Sequence, residues 1–169
     1  MGRYVNPGNE GFKEILKSNY IDKTELISYV NESIGTTNKL ICVSRPRRFG
    51  KSFAVQMLTS YYSCGCDSRA LFEGLDISFD PSFEEHLNAY HVVRLDMTSV
   101  AYHANHGSIP QKAAEFIQED IREEFPNLSI GTSLESTLAA VVESTGRQFI
   151  FVIDEWDAVF RMYKEDTSI

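Results

Sequence analysis

Short, continuous apolar runs constrain the fold of this 169-residue chain more than any other feature of its sequence. Residues 39–44 include the run Leu-Ile-Cys-Val, and residues 149–153 read Phe-Ile-Phe-Val-Ile. Runs of this length are too short for a helix and do not alternate with polar residues, so they are typical of strands buried on both faces. Such strands belong to parallel sheets that helices cover. A third strand candidate spans residues 91–97.

Helical patterns separate these strand candidates along the chain. Apolar residues at positions 54, 57, 58 and 61 recur at the spacing of one helix face. Ser108 and Gln111 form a predicted capping box, and Pro110 falls in the first turn, where its missing N–H group does no harm. The order strand, helix, strand, helix, helix, strand predicts an α/β fold with a parallel sheet flanked by helices. Residues 1–36 are predicted to be a helical N-terminal segment and residues 37–169 the core of the domain.

The first strand candidate leads directly into a loop and a helix that suit the binding of phosphate. The loop reads Arg45-Pro46-Arg47-Arg48-Phe49-Gly50-Lys51-Ser52. Backbone N–H groups at a helix N-terminus favour an anion, and the helix dipole adds to that preference. Gly50 lets the backbone approach a phosphate closely, Lys51 would contact the terminal phosphates of ATP, and Ser52 would bind Mg²⁺. The sequence therefore predicts a Walker A loop at residues 45–52.

One position of this loop departs from the usual pattern. Arg45 stands where such loops have their first glycine, so the start of the loop must turn differently, helped by Pro46. A coincidental or decayed Gly-Lys-Ser tripeptide is the alternative interpretation. Arg47 and Arg48 fit equally well as solvated loop charges and as clamps on phosphate or on an acidic surface.

Two carboxylates follow the last strand candidate at the point where it ends. Asp154 and Glu155 come directly after the apolar run, and ligands of open α/β sheets bind at the carboxyl ends of the strands. We predict a Walker B segment at residues 149–155, in which Asp154 holds Mg²⁺ directly or through water and Glu155 orients the attacking water. A solvated turn is the alternative for the pair taken alone. Asp96 is predicted to form a strand-end turn, with a position facing the site as the alternative. Asp157 is predicted to make a contact at a helix start or one that supports the site residues, with a direct metal role as the alternative.

Charge and hydropathy limit the other classes of protein that this chain fits. The formal net charge of −8 argues against a free-standing nucleic-acid binder, because such proteins usually present a basic surface. No apolar stretch approaches the roughly 18–20 residues that cross a bilayer, and the N-terminus lacks the apolar centre of a signal peptide. We therefore expect a cytoplasmic protein with no membrane partner.

With these motifs in place, the chain resembles the AAA-ATPase-like family of bacterial proteins. The likeness extends over roughly residues 6–160, and the Arg-Pro-Arg-Arg-Phe-Gly-Lys form of the loop is specific to that family, so the resemblance makes Arg45 a normal residue. Trp156 replaces the tyrosine usual in the family. Three stretches carry the likeness: Tyr20-Ile21-Asp22-Lys23-Thr24, the loop at residues 45–52, and Ile153-Asp154-Glu155-Trp156-Asp157.

The resemblance also carries implications about domain organisation. Members of that family continue past the Walker B strand through a sensor strand and a helical region, and often into a nuclease-like domain of the restriction-endonuclease type. It implies that this chain corresponds to the N-terminal portion of such a protein, with a P-loop NTPase-type sheet that is incomplete after the Walker B strand. Nucleic acid would then be a partner only through a C-terminal nuclease-like domain. An exposed sheet edge would favour homo-oligomers.

The sequence as a whole favours a module that binds ATP and Mg²⁺, with Lys51 and Glu155 as the catalytic residues. Hydrolysis would proceed by in-line attack of water on the γ-phosphate. We expect it to be weak or absent, because no arginine finger can be assigned and no sensor strand is visible in the sequence. A non-hydrolysing regulatory or interaction module is one alternative, and a P-loop phosphotransferase is the other.

Overall fold

The computed structural model describes residues 2–43, 50–105 and 107–163. The chain divides into two compact units. One is the continuous stretch Gly8–Tyr90, and the other combines Met1–Pro7 with His91–Ile169. Gly50, Lys51 and Ser52 of the predicted Walker A loop therefore belong to the first unit, whereas the predicted Walker B segment belongs to the second.

The unit Gly8–Tyr90 is built mainly from short helices. They are α1 (Glu10–Leu16), α2 (Glu25–Asn31), α3 (Lys51–Tyr62), α4 (Arg69–Phe72) and α5 (Phe83–His86), with a 3-10 helix at Asp76–Phe79. Only α3, at 12 residues, reaches the length of an average helix in a globular protein. Helices this short are marginal in isolation, so packing between them must supply their stability.

Aromatic rings form the core of this unit. Phe72 stacks on Phe12 with ring centroids 5.0 Å apart, and the edge of the Tyr61 ring meets Phe72 at 5.3 Å. The Tyr62 hydroxyl donates to Asn31 Oδ1 over 2.6 Å, so the buried ring keeps a hydrogen bond. Burial also raises the pKa of Tyr61 to about 12. Because these rings come from α1, α3 and α4, they join helices that are distant in sequence.

The second unit contains the sheet. Strands β1 (His91–Asp96) and β2 (Phe149–Asp154) run parallel, and their register pairs the first residue of one with the first residue of the other. The helices of this unit are α6 (Met97–Ala104), α7 (Ile109–Glu124), α8 (Leu134–Thr145) and α9 (Ala158–Tyr163). The parallel α/β class predicted from the sequence is confirmed, as is the cap of α7, where the Ser108 hydroxyl accepts from Gln111 N–H at 3.3 Å.

An N-terminal tail, described from Gly2 to Pro7, completes this unit on the side of β1 away from β2. Val5 forms an antiparallel bridge with Val93, and the backbone N–H groups of Tyr4 and Val5 both donate to the carboxylate of Asp120 in α7. The Asn6 side chain also contacts His91, with 2.9 Å between Asn6 Nδ2 and His91 Nδ1. Burial lowers the pKa of His91, which favours the neutral ring over the charged one.

The strand predicted at residues 39–44 is not formed in its described part, residues 39–43. Leu40 in that stretch is 93% exposed, so the prediction of a buried strand was wrong there, and Ser44 lies outside the described residues. The physical reason is that a strand requires a hydrogen-bonded neighbour, which an apolar run does not specify by itself. The prediction that β2 is buried on both faces was also wrong, because Phe151 and Ile153 are 44% and 50% exposed while Val152 between them is buried.

Candidate functional site

The predicted Walker A loop is described only at its end. Arg45, Pro46, Arg47, Arg48 and Phe49 lie outside the described residues, whereas Gly50, Lys51 and Ser52 lie within them. Gly50 is the N-cap residue of α3, and α3 begins at Lys51. The Gly50 carbonyl accepts the N–H of Ala54 at 3.0 Å, which closes the first helical turn.

The backbone of Gly50 explains why glycine occupies this position. Its φ and ψ of 79° and 18° fall in the left-handed region, which residues with a Cβ atom adopt at a cost of about 1–2 kcal/mol. No side chain caps the start of α3 at this residue. The first N–H groups of a helix have no partner within the helix, so this start presents donors and the positive end of a dipole. Lys51 is half-buried and Ser52 is exposed.

A second lysine lies close to the same helix start. If Gly50 carried a Cβ atom, the nearest heavy atom among the described residues, its immediate neighbours apart, would be Lys23 Nζ, at 3.7 Å. Lys23 was not among the site residues predicted from the sequence. The available sequence evidence was its place in the stretch Tyr20-Ile21-Asp22-Lys23-Thr24, which carries part of the family resemblance.

The predicted magnesium residue lies at the carboxyl end of the sheet. Asp154 is the last residue of β2 and is in register with Asp96, the last residue of β1. Asp154 Oδ1 accepts the N–H of Glu155 at 2.9 Å. Asp96 has a different role, because its Oδ1 accepts from Thr98 N–H and Ser99 N–H and so caps α6. Asp96 therefore ends β1 and caps a helix that begins at the next residue, where the sequence predicted a strand-end turn.

Glu155 occupies an unusual backbone conformation directly after the strand. Its φ is 51°, in the left-handed region that a residue with a side chain enters only at a cost. The Glu155 carboxylate accepts from Arg161 in α9, with 2.9 Å between Oε2 and Nη2. Arg161 also lies 3.6 Å from the carboxylate of Asp157, which precedes α9. Because these side chains are a third or more exposed, solvent weakens both ion pairs.

The oxygen donors predicted for Mg²⁺ fit the preferences of that ion. Mg²⁺ keeps several waters and is usually held by one or two protein oxygens together with the phosphates of its substrate. Within residues 2–43, 50–105 and 107–163, no cluster of three or more His, Cys, Asp or Glu side chains is placed to hold a metal by itself.

A family model described as "Predicted AAA-ATPase" matches residues 7–168. Neither a curated protein nor a solved structure matches the chain. In the described part of the chain, every helix is too short or too polar to cross a membrane.

Proposed function

Because the chain belongs to the AAA-ATPase-like family, whose members are predicted AAA-ATPases, we propose that it binds ATP through its phosphates at the start of α3. Family membership supports nucleotide binding in general. The choice of ATP, of Mg²⁺ and of individual residues rests on the motifs in the sequence and on the local geometry around them.

One observation carries the proposal. The tripeptide Gly50-Lys51-Ser52 sits at the N-terminus of a 12-residue helix, and its glycine, which has no side chain, is the N-cap residue in the left-handed conformation. This arrangement leaves backbone donors for an anion and lets a phosphate approach without meeting a Cβ atom. In the proposed site Lys51 binds the terminal phosphates, and the Ser52 hydroxyl binds Mg²⁺. The loop residues at 45–49 would contribute further N–H donors.

Asp154 is the second proposed magnesium residue. It ends a strand and exposes part of its side chain, and it is followed by the predicted water-activating residue Glu155. A carboxylate in this position would bind Mg²⁺ directly or through a coordinated water. Mg²⁺, when bound, neutralises charge on the phosphates.

The proposal predicts nucleotide binding that depends on Mg²⁺ and on Asp154. Isothermal titration of the chain with ATP, in excess Mg²⁺ and in chelator, should show tighter binding with the metal. Asp154→Asn should reduce that gain about tenfold, the lower end of the effect expected when a metal-site partner is lost. Asp96→Asn is the matched control, because asparagine also caps helices and the cap of α6 should survive.

Two outcomes would contradict this proposal. If the unchanged chain binds neither ATP nor ADP, the proposed function is wrong. If Asp154→Asn and Asp96→Asn retain the same gain from Mg²⁺, the nucleotide site stands but the magnesium role of Asp154 does not.

A non-hydrolysing nucleotide-binding module is the second candidate, favoured by the ion pair between Glu155 and Arg161. The Oε2 atom of Glu155 already accepts a hydrogen bond from Arg161, so that oxygen is not free to accept one from an attacking water. We expect ATP turnover far below the roughly 1 s⁻¹ of competent enzymes, with little further change in Glu155→Gln. A phosphate-release assay giving a rate of that order, abolished by Glu155→Gln, would instead support the hydrolysing enzyme.

A further inference from the structure

Lys23 places a second positive charge at the start of α3. Its Nζ atom lies 3.7 Å from the position that a Cβ atom would take on Gly50, closer than any other heavy atom of the described residues apart from those adjacent to Gly50. The residue belongs to the same unit as α3, in the turn that precedes α2. The side chain is exposed, so its ammonium group is accessible to a ligand from solvent.

The residues on either side of Lys23 are anchored by hydrogen bonds. The Asp22 carboxylate accepts from Thr24 N–H and from Asp76 N–H, each at 2.8 Å. It therefore links its own turn to the start of the 3-10 helix. Thr24 is fully buried, and its hydroxyl oxygen accepts from Ile77 N–H at 3.0 Å. The turn that carries Lys23 is therefore fixed at two points, which reduces the conformational entropy that its backbone would lose on binding a ligand.

The charge balance around this helix start favours an anion. Among the residues that the structure describes, neither Lys23 nor Lys51 forms a salt bridge. The positive end of the α3 dipole adds to the two ammonium charges. A bound polyphosphate would compensate all three, whereas a neutral ligand would compensate none of them.

We propose that Lys23 is a second phosphate-binding residue, which contacts the polyphosphate of a nucleoside di- or triphosphate together with Lys51. This inference rests on the proposed function, because it assigns a further contact to that site. It also gives a function to the Tyr20–Thr24 stretch: Asp22 and Thr24 fix the turn, and Lys23 makes the contact.

The test compares changes of charge at Lys23 with the same change elsewhere. Lys23→Gln keeps the length of the side chain but removes its charge, and Lys23→Arg keeps the charge. Lys17→Gln, at the exposed end of α1, is the matched control. In titrations with MgATP and MgADP, Lys23→Gln should bind each about tenfold more weakly than the unchanged chain, the loss expected for one contact to a charged group. Lys23→Arg should recover most of that affinity, and Lys17→Gln should bind normally.

The outcomes separate this inference from the proposed function. If the unchanged chain binds nucleotide and Lys51→Ala does not, while Lys23→Gln binds like Lys17→Gln, then Lys23 is not a phosphate ligand and the proposed site remains. If Lys23→Arg binds as weakly as Lys23→Gln, with unchanged unfolding midpoints in both, a charge contact at Lys23 is contradicted. Absence of nucleotide binding by the unchanged chain contradicts both proposals.

Discussion

Replacing Lys51 with alanine is expected to weaken the binding of ATP about a hundredfold. Each hydrogen bond to a charged group contributes about 1.5–3 kcal/mol, and an ammonium has three donors, so loss of two phosphate contacts accounts for a factor of that size. Alanine has the highest helix propensity and the position is the first of α3, so the helix itself should persist. The loss would then report the missing charge rather than a damaged fold.

Thermal shift and isothermal titration with MgATP would measure this effect. Lys13→Ala is a suitable control, because it removes the same charge from α1, where Lys13 makes only an exposed ion pair with Glu10. We expect that variant to bind ATP normally. Equal nucleotide-dependent shifts in the unchanged chain and in Lys51→Ala would show that the phosphates bind somewhere else.

The second large effect is expected in the aromatic core of the unit Gly8–Tyr90. Phe72 is fully buried between Phe12 and Tyr61, and truncating such a ring to alanine costs about 3–5 kcal/mol through lost burial and the cavity that remains. A loss of that size is a large fraction of the stability of an ordinary domain. Phe72→Ala should therefore leave this unit partly or wholly unfolded near room temperature.

Phe79 provides the matched control for this change. It lies seven residues further along the same unit and is 81% exposed, so Phe79→Ala should alter the free energy of unfolding by no more than about 0.5 kcal/mol. Urea denaturation followed by circular dichroism compares the two variants. Equal midpoints for Phe72→Ala and Phe79→Ala would mean that the aromatic cluster does not stabilise the unit.

Local signals in the sequence predicted the elements whose ends are marked by specific residues. Ser108 and Pro110 marked the start of α7, and the glycine before Lys51 marked the start of α3. Strand β2 and the carboxylates after it were predictable because a short apolar run that ends in acidic residues has few other interpretations. These features are set by residues that are adjacent in the chain, so they can be recognised in the sequence without knowledge of the fold.

Features that depend on distant partners were not predictable in the same way. The run at residues 39–44 has the composition of a buried strand, yet its described residues pair with no neighbour. The left-handed backbone at Glu155 was not predictable for another reason, because no glycine or asparagine at that position indicates it. Lys23 lies close to Gly50 although the two residues are far apart in the chain, and no pattern in the sequence predicts that they meet.

The N-terminal tail has a consequence for the order in which contacts can form during synthesis. Tyr4 and Asn6 leave the ribosome well before the residues that they contact, because Asn6 contacts His91, 85 residues later, and Tyr4 contacts Asp120, 116 residues later. The whole stretch Gly8–Tyr90 is made in the interval, and it holds its own aromatic core within one continuous segment. If that segment folds first, the tail and β1 are joined by a compact body instead of a flexible loop, and closing the contact between them no longer costs the full entropy of a long open chain.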